Sequence, residues 1–328
     1  SHNLIEVCDG IVAVIDNPEI TINELMEIIK GPDFPTGGQI VSENIKELYE
    51  TGKGSFIVRG KVNTEESKNK QYVVITEIPY QVNKSELVKQ IAELVRDKKL
   101  QEVSDLRDES SKGKIRIVIE LKKNSNTQFT INRLYKSTNL QTKFDGILVA
   151  LDAGIPKTLS LKQIILSYIN FRRKIIRKRT EFDLRKAEDR LHIVEGLLIA
   201  LKNLEEVIEL IKKSKNAIEA NENLQKKFKL TKKQSEAILE ITLGKLTALE
   251  REKLKKEEQD LKELIDKLKK ILQDEKEIYK IIKQELNELK KNYGDDRRSQ
   301  IIKGVKEIEE KDLVQKKDVI ITITEKGY

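Results

Sequence analysis

The sequence is poor in the residues that build most metal and redox centres. Its 328 residues include one cysteine, Cys8, and two histidines, His2 and His192. A disulfide within the chain is therefore excluded, and so is a zinc cluster of cysteine and histidine, which needs about four such ligands. A lone cysteine also fits a reducing compartment. We expect this segment to bind no metal and no cofactor.

Aromatic residues and long apolar runs are also scarce. Tryptophan is absent and aromatics make up 5% of the chain, whereas charged residues make up 36%. No apolar run approaches the roughly 20 residues of a membrane span, and the first ten residues lack the basic and apolar regions of a signal peptide. High charge with ordinary aliphatic content indicates long, solvated helices that each bury a narrow stripe.

Nucleotide-binding and hydrolase motifs are missing as well. There is no GxxxxGK[ST] loop, so ATP hydrolysis is not encoded here, and there is no GxGxxG, GxSxG or HExxH pattern. The segment Leu106–Ser110 clusters an arginine with two carboxylates. We interpret it as a capped turn with a local salt bridge rather than an acid–base or metal site. No residue is assigned a catalytic role, and His192 is expected to be structural or at the surface.

The first half of the chain has the pattern of a mixed α+β domain. Residues 1–156 hold all five prolines, and helical periodicity appears at residues 22–29 and 83–99. Short β-branched runs of strand length lie between them. These runs cover residues 55–62, 72–78, 115–121 and 147–151.

Two long helical patterns follow. Between Ser160 and Lys213 the apolar residues recur at spacings of three and four, close to a heptad seam. A second such pattern runs from Leu249 to Asn292. Because neither stripe can stay exposed over such a length, we predict that the two helices form an antiparallel coiled coil. The alternative is two amphipathic helices packed on another core. The predicted fold class is α+β, mostly α.

The segment between the two patterns carries more apolar surface than one hairpin tip can bury. Thr231 and Gln234 have the spacing of a capping box that starts a helix. Exposed apolar clusters mark contacts with other chains, and two-fold self-association is the commonest case. The predicted dimer contacts are Ile238, Leu239, Leu243 and Leu246.

Positive charge is concentrated at the start of the first long helix. The net charge is +8, and residues 151–190 contribute +6 through eleven basic and five acidic residues. Such a cluster would bind a DNA duplex without sequence preference. A solvated helix face, or pairing with acids such as Glu285 and Glu288, explains it equally well. The six cations concerned are Arg172, Arg173, Lys174, Arg177, Lys178 and Arg179.

A series of strings along the chain resembles the A subunits of bacterial-type type IIA DNA topoisomerases. The resemblance is closer to gyrase than to topoisomerase IV because of IPYQVNK and LRDES. The strings occur in the family's order and cover most of the chain. They are IKGPDFPTGG (29–38), EIPYQVNKSELVKQIAELV (77–95), SDLRDES (104–110), RIVIELKK (116–123), LYKSTNLQTKF (134–144), RKAEDRLHIVEGLLIAL (185–201), FKLTKKQSEAIL (228–239), LTALEREKL (246–254) and YGDDRRSQI (293–301).

The resemblance implies a domain organisation. Residues 1–156 would be a mixed α/β tower domain, 157–213 the outgoing helix of a coiled-coil arm, and 251–292 its returning helix. Residues 214–250 would be the helical C-gate tip that joins two protomers. Residues 293–328 would return to the tower and begin a truncated C-terminal domain. The start without methionine and the strand-like end also suggest a fragment of a longer chain.

The resemblance also implies an ATP-dependent isomerase that supercoils or relaxes DNA by passing one duplex through a double-strand break in another. The family's nucleophile is a tyrosine directly after an arginine, and none of the eight tyrosines here follows one. We therefore expect this chain alone to be inactive. Mg²⁺ and ATP would bind the B subunit. The implied partners are a second copy, two B subunits and double-stranded DNA, and the implied location is the cytoplasm with the nucleoid, or a plastid.

Two other classes of protein remain open. One is a non-enzymatic coiled-coil arm that tethers DNA, which would not need the strings IPYQVNK and LRDES in the mixed domain. The other is an RNA-binding module with a helical extension. Such a module stacks bases on aromatic residues of a sheet face, and the predicted strands carry few, Phe56 and Tyr72.

Overall fold

A computed structural model describes residues 1–67, 70–152, 154–241 and 248–303. They divide into two compact units. The first unit comprises Ser1–Ile169 and the chain from Leu286 onward, and the second unit comprises Asn170–Glu285. The predicted start of a C-terminal domain, after residue 303, lies outside the described residues. In the described part of the chain, no helix combines the length and apolar content that a membrane crossing requires.

The first unit mixes short helices with small sheets. Two of the sheets have four strands and another is a hairpin. The helices are α1 Leu4–Asp16, α2 Ile22–Ile28, α3 Ile45–Thr51, α4 Lys84–Arg96 and α5 Thr127–Ser137. The strands are β1 Gln39–Val41, β2 Lys53–Arg59, β3 Lys61–Ser67, β4 Lys70–Glu77, β5 Val103–Asp108, β6 Ile117–Leu121, β7 Gln141–Ile147, β8 Val149–Asp152, β9 Ile155–Thr158 and β10 Gln300–Ile302.

One sheet has the order β10-β1-β2-β7 and the other β3-β4-β6-β5. All pairings are antiparallel except that of β10 with β1, which is parallel and matches Gln300 with Gln39. Strands β8 and β9 form the hairpin. The parallel pair joins the end of the described chain to a strand near its beginning, so residues far apart in sequence share one sheet.

One core of the first unit lies on the inner strands of the second sheet. β-Branched side chains suit such strands because they pack well on a pleated surface. Strands β4 and β6 bury Val73, Ile75, Ile117 and Ile119, and helices α4 and α5 cover them. Each covering helix begins at an asparagine whose side chain accepts backbone amides, Asn83 for α4 and Asn126 for α5.

The strands predicted at residues 72–78 and 115–121 are confirmed as β4 and β6. The run at 55–62 is two strands, β2 and β3, because the chain turns at Gly60. Its backbone N–H donates to the carbonyl of Leu140 at 2.8 Å. A Cβ at Gly60 would stand 2.6 Å from the carbonyl oxygen of Glu77, so a side chain does not fit there.

A buried arginine ties the segment after the last helix to the start of the chain. The Arg297 guanidinium pairs with the Glu6 carboxylate, and both side chains are largely buried. It also donates to the carbonyls of Gly31 and Pro32, each at 2.7 Å. Burial lowers the pKa of Arg297, but the Glu6 carboxylate, together with Asp33 and Tyr49, raises it by more. Five donors in a fixed fork suit such a multiple contact. We call this arrangement the arginine clamp.

Asp33 extends the arginine clamp along the turn-rich string at residues 29–38. Its carboxylate accepts the backbone amides of Arg298 at 3.1 Å and Ser299 at 2.9 Å. Burial raises the pKa of Asp33, but these amides, the Asn3 side chain and the charge of Arg297 together lower it by more. Two strings of the family resemblance, far apart in sequence, are thus in contact.

The second unit consists of helices. The first and last of them continue into the first unit, and two predicted long helices are each broken once. The helices are α6 Leu161–Lys202, α7 Leu204–Lys213, α8 Ala217–Phe228, α9 Lys232–Leu239, α10 Ala248–Gln273 and α11 Glu275–Tyr293.

The two breaks have local chemical causes. At Asn203 the side-chain amide donates to the carbonyl of Ile199 at 2.9 Å, and such bonds compete with helix continuation. At Asp274 the carboxylate accepts the backbone amide of Lys276 at 2.9 Å, as a residue at a helix start does. The prediction of two uninterrupted helices is therefore wrong at these two positions.

Helix α6 runs antiparallel to α10 and α11 in the second unit. Ion pairs join Arg179 to Glu285 at 3.0 Å, Glu188 to Lys269 at 3.0 Å and Arg190 to Glu257 at 2.6 Å. Residues of increasing number on α6 thus pair with residues of decreasing number on α11 and α10, as antiparallel helices require. Apolar side chains are buried along the same helices. They are Ile176, Ala187, Val194, Ile265, Leu268, Ile271, Ile278 and Ile282.

We expect Arg297→Met to destabilise the first unit by about 3–5 kcal/mol, because it leaves the buried Glu6 carboxylate unpaired. Urea unfolding, with hydrogen exchange of β1 and β10 as the local measure, tests this. Arg298→Met is the control, since Arg298 pairs only at the surface with Asp295 and should change stability by about 1 kcal/mol or less. Equal effects of the two substitutions would refute the arginine clamp.

Candidate nucleic-acid and dimer interfaces

The six cations of the basic cluster lie on α6, and three of them are paired within the second unit. Arg172 and Arg179 both bind the carboxylate of Glu285. Arg173 pairs with Glu275 and stands over the Tyr279 ring, 5.5 Å from its centre. For these three arginines the pairing interpretation is confirmed, with Glu285 and Glu275 as the acids.

The other three cations, Lys174, Arg177 and Lys178, are exposed. Among the described residues none of them has an ion pair or a side-chain hydrogen bond. Lys174 and Lys178 project from the side of α6 that faces away from the buried Ile176 and Thr180, whereas Arg177 lies on the flank, about 100° from Ile176 around the helix axis. Three unpaired positive charges within five residues are available to an external anion such as a phosphate.

The far end of the second unit has a small core of its own. Helices α7, α8 and α9 bury Val207, Leu224 and Ile238 together with Ala200 of α6 and Leu230. Thr231 and Gln234 form the predicted capping box at the start of α9, which is confirmed. We call these three helices the tip.

Gln234 also fastens α9 to α6. Its side-chain amide donates to the backbone carbonyl of His192 at 2.7 Å, and the His192 ring lies 2.6 Å from the Thr231 hydroxyl. A Cβ at Gly196 would stand 2.7 Å from the Gln234 side chain. The contact therefore requires a residue without a side chain at position 196. His192 has a structural role here, as the sequence suggested.

The predicted dimer contacts fall into three groups. Ile238 is only 4% exposed, so it is a core residue of its own protomer and its assignment as a dimer contact is revised. Leu239 is half-buried against the same core. Leu243 and Leu246 lie outside the described residues. An exposed apolar residue that the sequence analysis missed, Ile218, is 73% exposed on α8. It has polar residues three and four positions further along the helix, Asn221 and Glu222, so it produces no periodic signal.

The segment Leu106–Ser110 is a surface charge network. It was predicted as a turn, but most of it lies in strand β5, so the turn is wrong. The predicted local salt bridges are present, from Arg107 to Asp105 at 2.8 Å and to Glu109 at 3.3 Å. Hydrogen bonds from Lys84 and Ser110 lower the pKa of Asp108 to about 2. Within the described ranges, no group of three or more acidic, histidine or cysteine residues could hold a metal ion.

The family model for the A subunit of DNA gyrase and topoisomerase IV matches residues 1–287. The chain belongs to this family. The match includes the basic cluster on α6, the tip, and all of the mixed first unit before the returning segment. The resemblance inferred from the sequence strings is therefore confirmed.

Proteins named as the A subunit of DNA gyrase are similar to the whole of this chain. That of Clostridium acetobutylicum is 52% identical over 329 residues, that of Halalkalibacterium halodurans 47% over 328, and that of Staphylococcus epidermidis 44% over 331. Each alignment covers 100% of this chain but only 40%, 39% and 37% of the respective relative. The chain thus spans about two fifths of the length of these members of the family.

We expect Gly196→Leu to displace α9 from α6. Leucine favours helices more than glycine does, so any loss must come from the clash with Gln234, a strain that typically costs about 1–3 kcal/mol. Faster amide hydrogen exchange in α9 is the expected result. Lys186→Leu, at an exposed position of the same helix, should leave that exchange unchanged. Unaltered exchange in both variants would contradict the docking role of Gly196.

Proposed function

We propose that this chain is the tower, arm and C-gate part of the A subunit of a DNA gyrase. The observation that carries the proposal is the family match over residues 1–287 together with relatives of 44–52% identity that are named as gyrase A subunits. The full enzyme would break both strands of a duplex, pass a second duplex through the break and reseal it. In the part of the chain that the structure describes, no feature favours topoisomerase IV, a tethering arm or an RNA-binding module over this function.

In this proposal the parts of the chain have mechanical roles. Residues 1–156 form the tower, and residues 157–203 and 251–292 form a coiled-coil arm. Residues 204–250 form the gate, which includes α7 because Val207 of that helix is buried in the tip core. The antiparallel ion pairs between α6 and its partner helices support the arm. The separate core of the tip supports a rigid gate. A stiff arm is needed because two protomers must stay joined at one end while the DNA break is open.

The chemistry of the reaction is assigned elsewhere in the assembly. A covalent step on tyrosine would require the arginine–tyrosine pair that this chain lacks. We therefore propose that the chain alone neither cleaves nor reseals DNA. Mg²⁺ and ATP would act on the B subunit. Two A and two B subunits would work together on cytoplasmic, nucleoid-associated DNA.

The gate predicts that the chain is a homodimer at micromolar concentration. The proposed contacts are Leu239, Leu243 and Leu246, since Ile238 is buried in the tip core of its own protomer. We expect Leu243→Asp to shift the dimer to monomer, because an interface cannot cover an unpaired carboxylate without a large desolvation cost. Multi-angle light scattering measures the change.

Ile218→Asp is the matched control for the gate, since Ile218 is an exposed tip residue outside the proposed contacts. It should leave the dimer intact. A monomer both for the unmodified chain and for Leu243→Asp would refute the gate. An unmodified dimer that also survives Leu243→Asp would place the interface elsewhere.

The unpaired cations predict salt-dependent duplex binding. Changing Lys174, Arg177 and Lys178 to Glu should weaken binding strongly and lower the slope of log affinity against log salt by about 2–3, at about 0.9 per phosphate contact. The paired arginines Arg172 and Arg179 are poorer targets, because their loss would also free Glu285. Fluorescence anisotropy with a labelled duplex at several salt concentrations gives the slope.

The control for duplex binding changes the same number of charges in the tip. Lys212, Lys215 and Lys226 are exposed there, and their replacement by Glu should change the slope little. If both triple variants lose the same affinity, net charge alone governs binding and the α6 surface has no special role.

A further inference from the structure

An apolar stripe lies exposed on α6 beside the unpaired cations. Phe171 is 57% exposed, Ile175 36% and Phe182 59%. These positions are four and seven residues apart, so at 100° per residue they lie within about 40° of one another around the helix. The buried positions Ile176 and Thr180 lie about 140° and 180° from Phe171 on the same scale. The stripe is therefore on the opposite side from the packed face.

Unpaired positive charge borders this stripe. Lys178 lies between Ile175 and Phe182 on the same face, and Lys174 lies about 60° from Phe171 around the axis. Both are exposed and, within the described ranges, neither contacts an acid. The acidic residue nearest in sequence is Glu181, which is exposed three residues beyond Lys178 and has no ion pair with it in the described structure. The surface therefore combines two aromatic rings with lysines that fit an anionic partner.

The exposed apolar area is too small for a protein partner. The three side chains expose on the order of 300 Å² of apolar surface, taking roughly 150–250 Å² for an aromatic side chain. A stable protein interface buries about 800 Å² on each partner. Stacking a nucleic-acid base needs only one ring face, and any base can supply it. Charge and area together favour a nucleic acid.

We infer that this face of α6 binds unpaired nucleotides, with bases stacked on Phe171 and Phe182 and phosphates on Lys174 and Lys178. A regular duplex presents phosphates to such a face but keeps its bases stacked on one another. The two rings lie about 16 Å apart along the helix axis, so one strand must cross several nucleotides to reach both. The inference rests on the proposed function for its nucleic-acid partner and adds a preference for single strands.

The test compares an oligothymidylate of about 20 nucleotides, longer than common single-strand binding sites, with a duplex of equal length by fluorescence anisotropy. The double variant Phe171→Leu/Phe182→Leu keeps apolar side chains but removes both rings. It should lose roughly tenfold single-strand affinity for each ring and keep its duplex affinity. Phe171→Tyr/Phe182→Tyr keeps the rings and should bind the single strand as the unmodified chain does.

The outcomes separate this inference from the proposed function. Leucine variants that bind oligothymidylate as tightly as the unmodified chain would overturn the inference. Equal binding of heparin and oligothymidylate by the unmodified chain would also overturn the inference, because charge alone would then account for binding. In either case the proposed function would still be supported if the unmodified chain binds a duplex and the variant with Lys174, Arg177 and Lys178 changed to Glu does not. Loss of single-strand binding in the leucine variants alone supports the stacking role.

Discussion

The second unit depends on one constraint, which is that a highly charged helix can bury only a narrow face. Helix α6 buries Ile176, Ala187 and Val194 along one side, and α10 and α11 cover that side with their own isoleucines and leucines. Hydrophobic burial supplies the driving force, while ion pairs at the margins, such as Arg190 with Glu257, favour the antiparallel arrangement. The side of α6 that is covered also determines which of its cations pair with acids and which face solvent.

The covered side divides the basic cluster into two chemical groups. Arginines next to the packed face reach acids of the facing helix, so Arg172 and Arg179 share Glu285. Cations farther round, such as Lys174 and Lys178, meet only solvent in the described structure. Each arginine contacts a different carboxylate oxygen of Glu285 through one guanidinium nitrogen, so one acid pairs with two cations. One run of basic residues therefore serves both packing and a surface for anions.

The arginine clamp shows what holds the first unit together beyond its sheet cores. Arg297 and Asp33 bind backbone groups that secondary structure leaves unsatisfied, including the carbonyls of Gly31 and Pro32. Buried polar groups are costly unless they are paired. The turn-rich string at residues 29–38 thus has a structural role, since it binds the segment at residues 297–299 of the same chain.

Periodicity in the sequence determined the two long helices, the β-branched strands β4 and β6, and the Thr231 capping box, because each depends on residues close in sequence. The sequence motifs likewise determined the family. Only the tertiary structure decided that Gly60 separates two strands, that Ile238 is buried in its own tip, and which cations remain unpaired. These outcomes depend on the contact of Gly60 with Glu77, of Ile238 with Leu224, and of Arg179 with Glu285. Such contacts join residues distant in sequence, so a local sequence pattern does not predict them.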